Sequence, residues 1–132
     1  TVWALSGPDD TATWVSKNVG RDVHYVVAGH THLRRRLGAP PWSGTYFNSG
    51  TWIALMRVPD GVLADDAAFD AWVDRLRACA TVKALEEAGL IQPQRTVIVL
   101  DASGGHVDAG VWEVTGPKAG PFALARVDGG AR

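Results

Sequence analysis

Two histidines separated by one residue are the side chains of this sequence best suited to binding a metal ion. They belong to Gly29-His30-Thr31-His32, directly after the apolar run 23–28. On extended backbone, residues i and i+2 project to the same side, roughly 6–7 Å apart at Cα. Their imidazoles can therefore converge on one metal, or on two metals about 3.5–4 Å apart as in two-metal hydrolytic sites. The spacing leaves an alternative open, in which both are exposed strand residues that bind nothing.

The elements before this motif indicate how it is positioned. The run 23–28 is β-branched and aromatic, and it is almost continuously apolar, which is typical of a strand buried on both faces. A helix over 12–19 is predicted before it, because Asp9 and Asp10 suit the positive end of a helix dipole. A helix that feeds a buried strand indicates an α/β layered fold. Ligands of open α/β sheets bind outside the carboxyl ends of strands, which is where the histidines lie.

The later part of the chain alternates strand and helix patterns. The basic segment 33–37 is interpreted as a solvated loop. After it, a strand is predicted at 45–48, which kinks at Ser49-Gly50 and resumes over 51–58. The other predicted elements are helices over 66–79 and 82–88 and a hairpin of strands 96–100 and 107–114.

A second motif, Asn48-Ser49-Gly50-Thr51, lies on the strand that follows the basic segment. A buried strand ending in Gly-His-Thr-His, followed by a strand with Asn-x-Gly-Thr, resembles the calcineurin-like metallophosphoesterase family. The resemblance covers roughly residues 1–58 and, less specifically, 94–115. It implies an α/β fold, a partial layered α/β/β/α sandwich that has a mixed sheet with flanking helices.

The resemblance implies that residues 1–132 are the C-terminal portion of a single such domain. The motif-bearing sheet segment would be 1–60, a helical insertion 61–93, a closing hairpin 94–116 and a flexible tail 117–132. The family's Asp-x-His, Gly-Asp and Gly-Asn-His motifs belong N-terminal to these residues, and the sequence has neither Gly-Asp nor Gly-Asn. The one Asp-x-His, Asp22-Val23-His24, is on the wrong strand for the family and is interpreted as accidental.

The resemblance also implies the chemistry. His30 and His32 would each ligate one of two divalent metal ions, Mn, Fe or Zn, which in the complete enzyme hydrolyse phosphate mono- or diesters. The site-supporting residues would be Gly29, Thr31, Asn48 and Gly50. Arg34 and Arg35 are candidate substrate contacts, and no catalytic residue is assigned. Two neutral imidazoles cannot offset the repulsion between two dications, so the isolated chain is expected to show no phosphodiesterase turnover.

Two other interpretations stay open. One is a non-catalytic phosphoesterase-like domain that acts as a protein-interaction module through the segment 61–93. The other is a small zinc-binding module in which Asp22 or His24 joins His30 and His32. This last interpretation is disfavoured because His24 is roughly 20 Å from His30 if the strand is extended.

Composition limits the partners to be expected. The 13 Lys+Arg and 14 Asp+Glu give a net charge of −1, so no basic field indicates nucleic acid. No apolar stretch approaches the roughly 18 residues that span a bilayer, and no secretory signal is visible. The single cysteine excludes an internal disulfide framework and favours the cytoplasm. The expected partners are a phosphoester substrate and the N-terminal part of the domain, and uncovered apolar strand faces predict self-association.

Overall fold

The computed structural model describes residues 5–29, 31–38, 42–56, 58–117 and 120–128. The chain divides into two compact units. Unit 1 comprises Thr1–Trp52 and Arg95–Arg132, and unit 2 comprises Ile53–Gln94. The fold is mixed α/β, with several small sheets and few helices. This confirms the predicted class at that level, although more of the chain is strand than the sequence suggested.

Helix α1 (Asp10–Asn18) begins unit 1 and is capped as its sequence predicts. The Asp9 carboxylate accepts a hydrogen bond from the Ala12 N–H at 3.0 Å, which satisfies one of the free donors of the first turn. The helix buries Ala12 and Val15 against the sheet of the same unit.

Three strands form the sheet that carries the motifs: β1 (Tyr25–Ala28), β2 (Arg34–Gly38) and β3 (Thr45–Ser49). Their order is β1-β3-β2, with β1 parallel and β2 antiparallel to β3. The prediction of a loop over 33–37 is therefore wrong, since all of these residues except Leu33 lie in β2. The prediction that β1 is buried on both faces is also wrong in part, because Val27 is 51% exposed.

Unit 2 contains the helices predicted between the two halves of unit 1. Helix α2 (Asp66–Ala78) and helix α3 (Val82–Glu87) follow a 3-10 turn at Val62–Ala64, and strands β4 (Ala54–Met56) and β5 (Ile91–Pro93) pair antiparallel. Of the predicted strand continuation over 51–58, only Ala54–Met56 are paired, as β4 with β5, and Arg57 lies outside the described residues. Unit 2, at Ile53–Gln94, includes more residues than the helical insertion predicted at 61–93.

The chain returns to unit 1 as an antiparallel sheet of β6 (Thr96–Asp101), β7 (Asp108–Thr115) and β8 (Ala123–Arg126), in that order. The first two strands are the predicted hairpin. The prediction of a flexible tail over 117–132 is wrong for β8, which pairs with β7 from Trp112 to Thr115. Two ion pairs accompany this pairing, since Arg126 contacts Asp108 and Asp128 at 2.8 Å each.

Alternation along β3 defines the layers of unit 1, because successive side chains of a strand point to opposite faces. Tyr46 packs with α1 and Trp42 on one face of the sheet. Phe47 packs with Ala109 and Val111 of β7 on the other. The motif-bearing sheet thus lies between α1 and the sheet β6-β7-β8. No helix in the described ranges is long and apolar enough to cross a membrane.

Candidate metal centre

The segment from Gly29 to His32, which we call the histidine turn, follows β1 directly in the chain, and its residue His30 lies outside the described residues. Because β1 and β3 are parallel, with Ala28 opposite Asn48, their carboxyl ends meet at the same edge of the sheet. The residues that follow β3 therefore lie beside the turn that follows β1. This edge is the position at which open α/β sheets bind ligands.

Asn48 connects the two strand ends. Its side chain is 0% exposed. Its Nδ2 donates to Thr31 Oγ1 at 2.6 Å and contacts the Tyr46 hydroxyl oxygen at 3.0 Å, and its Oδ1 accepts from the Gly50 backbone N–H at 2.8 Å. We call these three hydrogen bonds the Asn48 clamp. The structure thus brings together Thr31, Asn48 and Gly50, three of the residues predicted to support the site.

Gly50 supports the backbone of the histidine turn. Its φ is +69°, and a Cβ placed there would lie 3.0 Å from Arg34 N and 3.4 Å from the His32 carbonyl oxygen. Both the conformation and the close approach therefore require glycine. Gly29 is less constrained, because its Cβ would meet only Ser49 Oγ among the described neighbours, at an ordinary 3.7 Å.

His32 has an unusual backbone conformation. Its φ is +62°, and no other non-glycine residue in the described ranges has a positive φ. Such a conformation costs on the order of 1–3 kcal/mol and persists where the surroundings over-determine it. Here Thr31 is held by Asn48 and the His32 carbonyl packs on Gly50. The side chain is exposed, while His30 lies outside the described residues.

The described residues alone do not complete a metal site. Among them, no group of three or more His, Cys, Asp or Glu side chains could hold a metal ion. His24 precedes β1, where its carbonyl accepts from Thr45 N at 2.9 Å. The strand between His24 and the turn has 4 residues and spans roughly 13 Å. His24 and His32 therefore lie at opposite ends of β1, which disfavours the small zinc module.

Arg34 and Arg35 of β2 contact other residues of unit 1. Arg34 Nη1 lies 3.8 Å from Glu113 Oε2. Arg35 is 2% exposed, and its guanidinium donates to the carbonyls of Arg34 at 3.1 Å and Pro8 at 3.5 Å. The expectation that Arg34 and Arg35 contact substrate is therefore not supported, because a buried or carboxylate-facing guanidinium is not presented to a ligand at the turn.

Tyr46 is a residue of the site that the sequence did not reveal. It is 0% exposed and bonds through its hydroxyl to Asn48. Burial raises the pKa of the Tyr46 phenol, the hydrogen bond with Asn48 opposes this rise, and the charge of Asp9 adds to it. The hydroxyl is therefore neutral at physiological pH and anchors Asn48 on the α1 side of the sheet. The signal for it is the i, i+2 spacing of Tyr46 and Asn48, which places them on one face of β3.

The described part of the site thus presents an exposed imidazole, His32, on a turn whose backbone is fixed by the Asn48 clamp and by Gly50. Imidazole nitrogen is a ligand well suited to Zn and Fe ions. No protein-family model matches the chain, and comparisons with curated proteins and with solved structures found no significant match.

Proposed function

We propose that this chain contributes His30 and His32 to a dinuclear centre of Mn, Fe or Zn that hydrolyses phosphate mono- or diesters. The centre would belong to a calcineurin-like metallophosphoesterase, of which this chain is the C-terminal part. The observation that carries the proposal is the left-handed His32 at the carboxyl end of β1, with the neighbouring Thr31 held by Asn48 at 2.6 Å. Strained backbone of this kind clusters at ligand sites.

The residues present fit part of such a centre. Neutral imidazoles can ligate the metals but carry no charge to offset two dications, so carboxylate ligands from outside the 132 residues would complete the set. When bound, the two cations would supply Lewis acidity for hydrolytic attack at phosphorus. The task of this chain is to fix two imidazoles. Asn48 holds Thr31 between the histidines, and Gly50 supports the backbone of His32.

Metal binding by the 132-residue chain tests the proposal. Equilibrium dialysis against Zn²⁺ or Mn²⁺ should detect weak binding that His30→Ala and His32→Ala each abolish. His106→Ala is the matched control, because His106 is exposed in the turn between β6 and β7, and it should leave binding unchanged. Equal losses in all three variants, or binding retained without His30 and His32, would contradict the proposal.

Activity provides a second readout. The isolated chain, supplied with Mn²⁺ or Zn²⁺, should not turn over a p-nitrophenyl phosphate ester, since its ligand set is incomplete. Robust metal-dependent turnover that His30→Ala abolishes would show that no further ligands are needed. That result would contradict the C-terminal-part interpretation while leaving the histidines as ligands.

A non-catalytic protein-interaction module is the second candidate function. Unit 2 exposes several large apolar side chains, among them Leu63 at 78%, Val82 at 65% and Phe69 at 41%. Exposed apolar surface of this kind is a feature of protein-binding sites. This candidate predicts that neither His30 nor His32 binds metal, so the dialysis experiment separates it from the enzyme.

A further inference from the structure

An open pocket of about 330 Å³ lies in unit 1, outside the residues assigned to the metal centre. It is lined by Trp52, Arg95, Val114 and Phe122. Trp52 and Phe122 are 60% and 59% exposed although both are large aromatic residues. A concave, mostly apolar surface with a few polar groups is the usual form of a small-molecule site, and this volume is at the lower end of the usual range.

The Trp52 ring is fixed before any ligand binds. Its Nε1–H donates to the Thr96 carbonyl at 2.9 Å. Thr96 is itself 1% exposed, and its hydroxyl donates to the Ser49 carbonyl at the end of β3. An exposed indole held in one orientation presents its face at little entropic cost, which is the advantage of a preorganised site.

The opposite part of the pocket is also tied to the sheet. The Arg95 carbonyl accepts from the Val114 N–H at 2.7 Å, which holds Arg95 beside β7. A Cβ on Gly116 would lie 2.6 Å from the Pro121 carbonyl oxygen and 3.3 Å from Phe122 Cα, so the chain that carries Phe122 crosses close to the end of β7. The aromatic ring is therefore supplied by a segment in direct contact with the sheet.

Arg95 is the charged residue among the described residues that line this apolar surface. In the described ranges the side chains of Arg34, Arg36, Arg77 and Arg126 form ion pairs, whereas Arg95 forms none. An arginine that lines the same pocket as two aromatic residues suits a ligand that combines a planar ring with an anion, because guanidinium pairs strongly with phosphate.

Chain connectivity places this pocket near the histidine turn. Trp52 is two residues after Gly50, and consecutive Cα atoms are about 3.8 Å apart, so the two Cα atoms are separated by at most roughly 7 Å. Gly50 in turn packs against the His32 carbonyl. The backbone at Trp52 therefore lies close to the candidate metal centre.

We propose that this pocket binds the base of a nucleoside phosphate. The base would stack on Trp52 and Phe122, and Arg95 would pair with the phosphate. This inference rests on the proposed phosphoesterase function and names its substrate class. Stacking of bases on aromatic side chains is favourable for every base, so the pocket would select nucleotides over non-aromatic phosphoesters with little preference among bases.

Binding of three ligands to the 132-residue chain in EDTA tests the inference. Adenosine monophosphate contains ring and phosphate, adenosine lacks the phosphate, and ribose 5-phosphate lacks the ring. The Val114 backbone amide serves as the NMR reporter for each. Adenosine monophosphate should bind tightest and ribose 5-phosphate weakest.

Substitutions of the lining residues test whether adenosine monophosphate binds in this pocket. Trp52→Ala and Phe122→Ala should each weaken adenosine monophosphate binding by about 5- to 150-fold, the range of stacking losses. Trp52→Phe retains a ring and should lose less, which guards against an unfolded alanine variant. Arg95→Ala should weaken adenosine monophosphate but not adenosine. Trp14→Ala is the control, since Trp14 lies on α1 and is 63% exposed, and it should have no effect.

Equal affinity for adenosine monophosphate and ribose 5-phosphate would overturn the inference, as would binding that Trp52→Ala and Phe122→Ala leave unchanged. The outcome is separable from that of the proposed function because EDTA removes the metal. Zn²⁺ binding at the histidines without nucleotide binding would overturn this inference alone. Nucleotide binding without Zn²⁺ binding would refute the metal centre alone.

Discussion

Removing the Asn48 side chain should destabilise unit 1 far more than its small size suggests. Asn48→Ala deletes the three hydrogen bonds of the clamp, to Thr31, Tyr46 and Gly50. At roughly 1 kcal/mol per bond the loss is about 3 kcal/mol. The Tyr46 hydroxyl keeps its hydrogen bond with Thr11, whereas the buried Gly50 N–H would be left unpaired at a cost of roughly 1–3 kcal/mol. With about 1 kcal/mol for each of the other two bonds, the upper limit is near 5 kcal/mol.

Urea unfolding followed by tryptophan fluorescence measures this loss. With an m-value of roughly 1.5 kcal/mol/M, the midpoint should fall by about 2 M. Asn18→Ala is the matched control, because the Asn18 amide donates to the Trp14 carbonyl at 2.8 Å but is exposed. Its midpoint should change by less than about 0.5 M, as most surface substitutions do. Equal midpoint shifts for the two variants would refute the energetic role assigned to the clamp.

A double-mutant cycle isolates the bond to the histidine turn. Thr31→Val removes the hydroxyl that Asn48 contacts at 2.6 Å. Combined with Asn48→Ala, it should show a coupling energy of about 1 kcal/mol. Coupling near zero would mean that Asn48 stabilises the sheet without holding the turn.

Two further predictions concern Gly50 and Asp128. In urea unfolding, Gly50→Ala should destabilise unit 1 by about 1–2 kcal/mol more than Gly105→Ala. Both residues have a positive φ, but only at Gly50 would the added Cβ lie 3.0 Å from a backbone atom. Equal losses of stability in the two variants would contradict the close packing at Gly50. Burial raises the pKa of Asp128, but the hydrogen bond and the charge of Arg126 lower it by more than burial raises it. The pKa therefore lies below its ordinary value. The stabilisation is therefore present above about pH 5 and lost as pH falls through the lowered pKa. Asp128→Asn should flatten the acid side of the stability curve, and an unchanged slope would contradict this.

Local signals predicted the helices of both units. Asp9, Asp65 and Thr81 each cap a helix by accepting from a backbone N–H three residues later. Such a bond depends on neighbouring residues alone, so the sequence contains all the information that it needs. The paired strands of the hairpin at 96–115 were predictable for the same reason, since short connections join neighbours in space.

The strands β2 and β8 were not predicted, and their arginines contact charged residues that lie elsewhere in the chain. Consecutive arginines favour a solvated loop when taken alone. In the fold, however, Arg34 reaches Glu113 and Arg36 reaches Asp128, at 3.8 and 3.4 Å, from the far end of the chain. Strand β8 likewise depends on the contact of Arg126 with Asp108. No local pattern encodes these pairings.

The motif residues of the candidate site could be predicted from the sequence, whereas the role of Tyr46 and the backbone conformation of His32 could not. The histidines and Asn48 could be named from the sequence because their motifs resemble a known family. Tyr46 could not, because its role depends on burial and on a bond to Asn48. The left-handed conformation of His32 has no local signature beyond the tolerance of histidine for that region.

The response of individual imidazoles to metal is the most direct test of whether His30 and His32 are metal ligands. The chain has 4 histidines, His24, His30, His32 and His106, so ¹⁵N spectra of the side chains can follow each of them during a Zn²⁺ titration. We expect the ring nitrogens of His30 and His32 to shift together and those of His24 and His106 to stay unchanged. In Asn48→Ala, more Zn²⁺ should be needed for the same shift. A response at His24 or His106 equal to that at His32, or no response at His32, would contradict it.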